Sequence, residues 1–285
     1  MKTHIIGNID NGKKTLMKSL SEEYYVILEE DINSSSPLVV IDVVEGGRFN
    51  ENSIKKIQLS VASTLMLNKI DRAICELRLD GEEAYSCFSR YINHFNSFSS
   101  SVNKVDPLNG SVIFCSGLHS WGFTIQTFST IWSERLGIPE TRLRSLFWGD
   151  NYYNTKTLKW VKLPSKNTYR GFDYFIWRPL TSIYRTVLNG DRVKLLKIIE
   201  DLGLSIDLES VVSADSDSKI LGRLLQSWLP LSNDGRLKLI NNILKKNNTS
   251  NGFKRSPFTI GASGGQVRSA HQFHRFCQTF RSIFQ

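Results

Sequence analysis

Gly7, Asn8, Ile9, Asp10, Asn11, Gly12, Lys13, Lys14 and Thr15 follow the spacing Gly-x-x-x-x-Gly-Lys, with a lysine at position 14 where a hydroxyl would hold magnesium. A glycine loop of this kind turns backbone N–H groups inward, and a helix after it adds its positive end, so the two together can cradle phosphate oxygens. Lys13 would neutralise part of the phosphate charge. Farther on, Asn68, Lys69, Ile70 and Asp71 form Asn-Lys-x-Asp. The Asp71 carboxylate can accept hydrogen bonds from the N1–H and 2-amino groups of guanine, a donor pair that adenine lacks. Asn68 can bond the base edge and tie loops together, and the Lys69 stem can lie against the base plane. Ser116, Gly117 and Leu118 supply a small residue and backbone N–H groups for the guanine carbonyl oxygen. Each motif alone is short enough to arise as an ordinary turn. Their meaning depends on what positions them.

The elements read as alternating strands and helices. Residues 2–6 form a short strand, 14–23 a helix with Leu16 and Leu20 four apart, and 24–28 a second strand. Residues 38–44 (LVVIDVV) are a continuous apolar run, as a buried parallel strand requires. Residues 52–62 read as a helix and 64–71 as a strand. Residues 81–98 form a helix carrying Tyr85, Phe88, Tyr91, Ile92 and Phe95 on one face, and 111–118 a strand running into a loop. This alternation predicts an α/β fold with a mostly parallel sheet, in which ligands sit beyond the carboxyl ends of the strands. The three polar motifs lie at three such ends. Beyond Trp121 the spacing predicts helices over 124–137, 172–190, 191–204, 220–230 and 235–246. Aromatic alternation over 146–164 suggests a hairpin, and 213–217 a polar loop. The expected division is a shortened core over 1–123, a second unit over 124–246 and a basic, aromatic tail over 247–285.

The chain has 285 residues, is 40% hydrophobic and carries a net charge of +9. It fits a globular protein with no apolar run long enough for a membrane span and no signal-peptide pattern. Cys75, Cys87, Cys115 and Cys277 show no Cys-x-x-Cys pairing and read as reduced packing thiols. The positive surplus suits polyanions such as RNA. The tail mixes Lys254, Arg255, Arg268, Arg275 and Arg281 with phenylalanines, a combination that can grip phosphates and stack on bases. His271 and His274 have metal-compatible spacing but no further ligands nearby, and His119 reads as structural. His-Glu-x-x-His and Gly-x-Gly-x-x-Gly do not occur.

Over about residues 3–246 the chain resembles the translational GTPases of the elongation factor 2 branch, which includes elongation factor-like GTPase 1 of ribosome assembly. The stretches LVVIDVVEGG, LNKIDRAICEL, EEAY, SVIFCSGLHSWGF, LFWGDNYYN and QSWLP carry the resemblance in order. It implies a P-loop GTPase-type sheet with an inserted α+β subdomain, GTP or GDP as cofactor, and the large ribosomal subunit and its rRNA as partners. It further implies a cytoplasmic, monomeric protein. By the same resemblance Gly7–Thr15 cradle phosphates, Asn68, Lys69 and Asp71 bind guanine, and Ser116, Gly117 and Leu118 complete the base pocket.

The chain departs from that family between the glycine loop and LVVID. Lys13 and Asp42 are only 29 positions apart. No Asp-x-x-Gly lies between them, so the switch threonine, aspartate and histidine have no counterparts. With Lys14 in place of the hydroxyl, magnesium binding is doubtful, no catalytic residue is assigned and hydrolysis is expected to be impaired. The alternatives are a non-hydrolysing RNA- or ribosome-binding remnant, or an incomplete gene model. YYVIL poses a geometric problem, because parallel neighbours need a crossover of about a dozen residues. It is expected to pair antiparallel, sit on an edge, or lie outside the sheet.

Overall fold

A computed structural model describes residues 3–6, 10–19, 24–26, 38–44, 64–98, 104–204, 206 and 216–231. The helices expected over 52–62 and 235–246, the cysteine Cys277, the histidines His271 and His274 and the tail lie outside these residues. The fold is α/β: helices surround a mixed sheet of mostly parallel strands. The strands are β1 (Thr3–Ile6), β2 (Tyr24–Val26), β3 (Leu38–Asp42), β4 (Thr64–Asn68), β5 (Val112–Ser116) and β6 (Trp121–Phe123). They form a 6-stranded sheet in the order β2-β1-β3-β4-β5-β6. Every pairing is parallel except that of β6, which returns antiparallel on β5 with Cys115 opposite Gly122.

YYVIL takes the edge option, and it pairs parallel: Tyr24 lies opposite Thr3. The crossover difficulty does not arise, because β1 stands between β2 and β3. Helix α1 (Lys13–Ser19) makes the β1–β2 crossover. The central strands are apolar on both faces because both are covered. Val39, Val40, Ile41, Leu65, Met66, Leu67, Val112 and Phe114 are all buried.

Helix α2 (Ile70–Cys75) starts directly after Lys69, so the strand expected over 64–71 stops at Asn68. Helix α3 (Gly81–Ser97) has a capping box from Asp80 and Glu83 and buries Ala84, Phe88, Tyr91, Ile92 and Phe95. Such a box satisfies two otherwise orphaned helix N–H donors. Tyr85 is half-buried rather than core, against Trp148 at 4.6 Å.

Next come α4 (Ile125–Leu136), closed by Gly137 in the left-handed conformation, and α5 (Glu140–Phe147). Strands β7 (Tyr152–Asn154), β8 (Lys159–Val161) and β9 (Thr168–Arg170) form a 3-stranded antiparallel sheet in the order β8-β7-β9. The expected hairpin is therefore β7–β8, with a third strand added. A π-helical turn over Asp173–Trp177 leads into α6 (Arg178–Leu188), followed by α7 (Arg192–Leu202) and α8 (Asp217–Trp228).

One hydrophobic cluster runs through all of this. Phe114 and Phe123 stack at 5.0 Å, and Phe88 links Phe114 to Phe172 and Trp177. On the small sheet, Trp160 stacks on Phe175 at 5.4 Å. Aromatic contacts of this kind add about 0.5–1.5 kcal/mol beyond area burial. They fix the helices around α6 against the parallel sheet and hence against its carboxyl edge.

Candidate site at the strand ends

Because β1, β3, β4 and β5 run parallel, the glycine loop, Asp42, the Asn68–Asp71 turn and the 116–118 loop emerge on one edge. Side-chain hydrogen bonds then draw them together. Asn11 Nδ2 donates to the Val40 carbonyl at 2.7 Å, and Asn68 Nδ2 donates to the Asn11 carbonyl at 2.8 Å. The other end of the Asn68 amide accepts from the Gly117 N–H at 2.9 Å and the Cys115 thiol at 3.7 Å. Both ends of the Asn68 amide thus serve to tie loops together.

Gly12 adopts φ +76°, and a Cβ there would sit 2.8 Å from Asn68 Nδ2. Only glycine permits both the turn and the tie. Asn68→Ala orphans the Asn11 carbonyl and the Gly117 N–H at buried positions. Each orphan costs about 1–3 kcal/mol, so a loss of about 2–4 kcal/mol is expected in urea unfolding.

Lys69 is left-handed at φ 65° and its ammonium pairs with Asp42 Oδ2. The other Asp42 oxygen accepts from the Val44 N–H at 2.8 Å. The Lys69 stem consequently passes beside Gly12, its Cε 4.0 Å from where a Gly12 Cβ would be. Asp71, in the first turn of α2, is only 5% exposed, and its Oδ1 has no hydrogen-bond partner among the described residues. A buried carboxylate oxygen without a donor is costly.

These groups open onto one cavity of about 450 Å³. Gly12, Thr15, Asn68, Lys69, Asp71, Gly117 and Leu118 line it together with His119, Leu188, Ser218 and Leu221. That is room for a purine with its sugar. The expected residues divide as follows. Gly7, Asn8 and Ile9 lie outside the described residues. Asp10 and Lys14 are exposed, Asn11 and Lys13 are buried, and Thr15 faces the cavity. Ser116 is fully buried and its hydroxyl accepts from the His119 N–H at 3.2 Å, so it braces the loop from behind. The Gly117 N–H is engaged by Asn68, whereas Leu118 is 66% exposed at the cavity mouth.

The cavity wall also contains residues not singled out from sequence: Leu188 at the end of α6, and Asp217, Ser218 and Leu221 at the start of α8. His119, read from sequence as structural, is buried and its ring bonds Tyr184 and Ser218. Burial holds its imidazole below the ordinary histidine range, while the nearby Asp71 charge acts in the opposite sense. Burial, with the same carboxylate adding to it, pushes the Cys115 thiol and the Tyr184 phenol up, so both stay protonated. Among the described residues Cys75, Cys87 and Cys115 are free thiols, and no three His, Cys, Asp or Glu side chains converge on a point. No described helix is long and apolar enough to cross a membrane. No protein-family model matches the chain.

Proposed function

We propose that the cavity binds GTP and GDP, in the manner of the translational GTPases of the elongation factor 2 branch. In this reading the sheet is of the P-loop GTPase type, and α4–α8 with the small sheet belong to the inserted α+β subdomain and the helices that return from it. The observation that carries it is the convergence of three sequence-distant turns on one cavity containing a buried Asp71 oxygen that no described residue bonds. That acceptor answers the N1–H and 2-amino donors of guanine. The Lys69 stem, steered by its Asp42 pair, offers a flat apolar surface to one face of the base. The glycine loop, with Gly12 and Thr15 at the cavity, receives the phosphates, and Lys13 at the head of α1 adds positive charge beside them.

Phosphoryl transfer depends on positioning and on neutralising charge at the transferred group. The exposed ammonium of Lys14 stands where the resemblance places a magnesium-binding hydroxyl, so bound GTP is turned over slowly or not at all. The site of action in this reading is the large ribosomal subunit, in the cytoplasm, with rRNA as a contact.

A second reading, polyanion binding without nucleotide, draws on the small sheet. Lys156, Lys159, Lys162 and Lys166 are exposed there, and no acidic residue occurs between 151 and 172. Titration with fluorescent GDP, GTP and ATP separates the two. Guanine nucleotides are expected to bind, with ATP weaker by about a hundredfold or more. Absence of any nucleotide binding, with salt-sensitive RNA binding intact, would establish the second reading instead.

A further inference from the structure

His119 has every polar group engaged, on three different elements. Its N–H donates to Ser116 Oγ, and its carbonyl accepts from Gln226 Nε2 on α8 at 3.2 Å. The ring nitrogens lie 3.0 Å from the Tyr184 hydroxyl on α6 and 3.1 Å from Ser218 Oγ on α8.

The direction of these bonds follows from Trp121. Its indole N–H can only donate, and it points at the same Tyr184 oxygen at 3.0 Å. Trp121 and Tyr184 are fully buried. The phenol oxygen therefore accepts from Trp121, and its own proton goes to His119 Nδ1. Nδ1 is then an acceptor, and the neutral ring carries its proton on Nε2, donating to Ser218. A proton added to Nδ1 would face the phenol proton and break this chain.

We infer that neutral His119 is a positioning residue for the cavity, clamping α6 and α8 onto the 116–118 loop, and that its protonation releases the clamp and weakens nucleotide binding. This rests on the guanine-nucleotide reading of the cavity. The ring bridges the base-facing loop to the two helices that supply Leu188, Ser218 and Leu221 to the wall. Several titratable or charged groups line the cavity or pack beside it. Asp71, Arg72 and Cys75 come from α2, Glu76 directly follows it, and Cys115 comes from β5. Tyr184 comes from α6, and Asp217 from the start of α8. Of these, Asp71 favours the proton on His119, and burial outweighs it.

The test is imidazole nitrogen NMR on the full chain, with the His119 signals assigned by their loss in His119→Gln. At pH about 7.5 one nitrogen should be protonated and the other, Nδ1, bare, with titration falling below the ordinary histidine value of about 6.5. Tyr184→Phe removes the bond to the Nδ1 lone pair and should raise that titration point. Ser218→Ala, at an exposed position, should move it little, because neutral and protonated rings both donate from Nε2. A proton on Nδ1, or no response to Tyr184→Phe, overturns the relay.

In parallel, GDP affinity should fall between pH about 7.5 and about 5.5, by less than about tenfold because one ring titrating below about 6.5 is the only linked proton. The loss should be smaller in His119→Gln. The diphosphate titrates identically in both proteins, so the difference belongs to the imidazole. Equal pH dependence in the two overturns the coupling. Failure of GDP to bind at either pH, with the expected ring protonation, overturns the nucleotide reading and the coupling built on it, but not the relay.

Discussion

Asp71→Asn is expected to move the preference of the cavity from guanine to xanthine nucleotides, with GDP affinity falling by about a hundredfold or more. A carboxylate presents two acceptors, matching the N1–H and 2-amino group of guanine. Asparagine presents one acceptor and one donor, so its amide N–H meets the guanine amino group donor to donor. Xanthine has a carbonyl at that position and keeps N1–H, and it restores both bonds. Sites built on buried hydrogen bonds reject a mismatched partner by up to about 10⁴–10⁵, so a hundredfold is the lower end. The geometry suits this, because Asp71 is buried beside the cavity and its Oδ1 has no donor among the described residues. Competition titrations with GDP and xanthosine diphosphate read the exchange. Unchanged GDP affinity in the variant would mean that the carboxylate does not touch the base. The same substitution removes the charge that favours the proton on His119, so its titration should move further down.

Arg170→Ala is expected to cost about 2–4 kcal/mol of stability, because two acceptors at a largely buried junction lose their donor at about 1–3 kcal/mol each. Arg170 is 8% exposed at the junction of α3 with the small sheet. Its guanidinium donates to Glu82 at 3.0 Å, to Asp150 at 2.9 Å, to the Gly149 carbonyl at 2.8 Å and to the Tyr152 hydroxyl at 2.7 Å. It also lies 4.0 Å from the centre of the Tyr85 ring and 4.9 Å from that of Tyr152. Glu82 and Asp150 are well exposed, so water recovers them once the arginine is gone. The loss therefore comes mainly from the buried end, where a carbonyl and a phenol lose their partner and two rings lose the plane between them. Arg170→Lys should recover less than half, since a point ammonium cannot reproduce a planar fork of donors. Urea unfolding of the three proteins measures this. A change below about 1 kcal/mol for the alanine variant would place the junction's stability elsewhere, in the aromatic core.

The parallel sheet was legible because its strands are covered on both faces and read as unbroken apolar runs, LVVID and TLMLN above all. Helix α3 was legible from its apolar face. The edge strand β2 was harder to place: its parallel pairing depends on β1 lying between it and β3, which no local pattern reveals. Strand β9 has three residues, too few for alternation to register, and α5 is a short helix tucked between Pro139 and Trp148. The π turn over Asp173–Trp177 reads as ordinary helix in sequence. Its Asp173 leaves room for no side chain at Gly81, where a Cβ would lie 2.0 Å from the carboxylate.

In the site, the acceptor at Asp71 and the loop-tying role of Asn68 follow from side-chain chemistry. The wall formed by Leu188, Ser218 and Leu221 does not, since only the packing of α6 and α8 brings it to the strand ends. The role of His119 stayed hidden for the same reason: its partners lie 65 and 99 positions away.

The central claim is that Asp71 receives the N1–H of a bound guanine. It is tested most directly by NMR of the protein with ¹⁵N-labelled GDP. The account predicts an N1 imino proton protected from water exchange in the wild type and lost in Asp71→Ala, which has no acceptor. An imino proton that exchanges as fast as in free GDP, or no bound GDP at all, would contradict it.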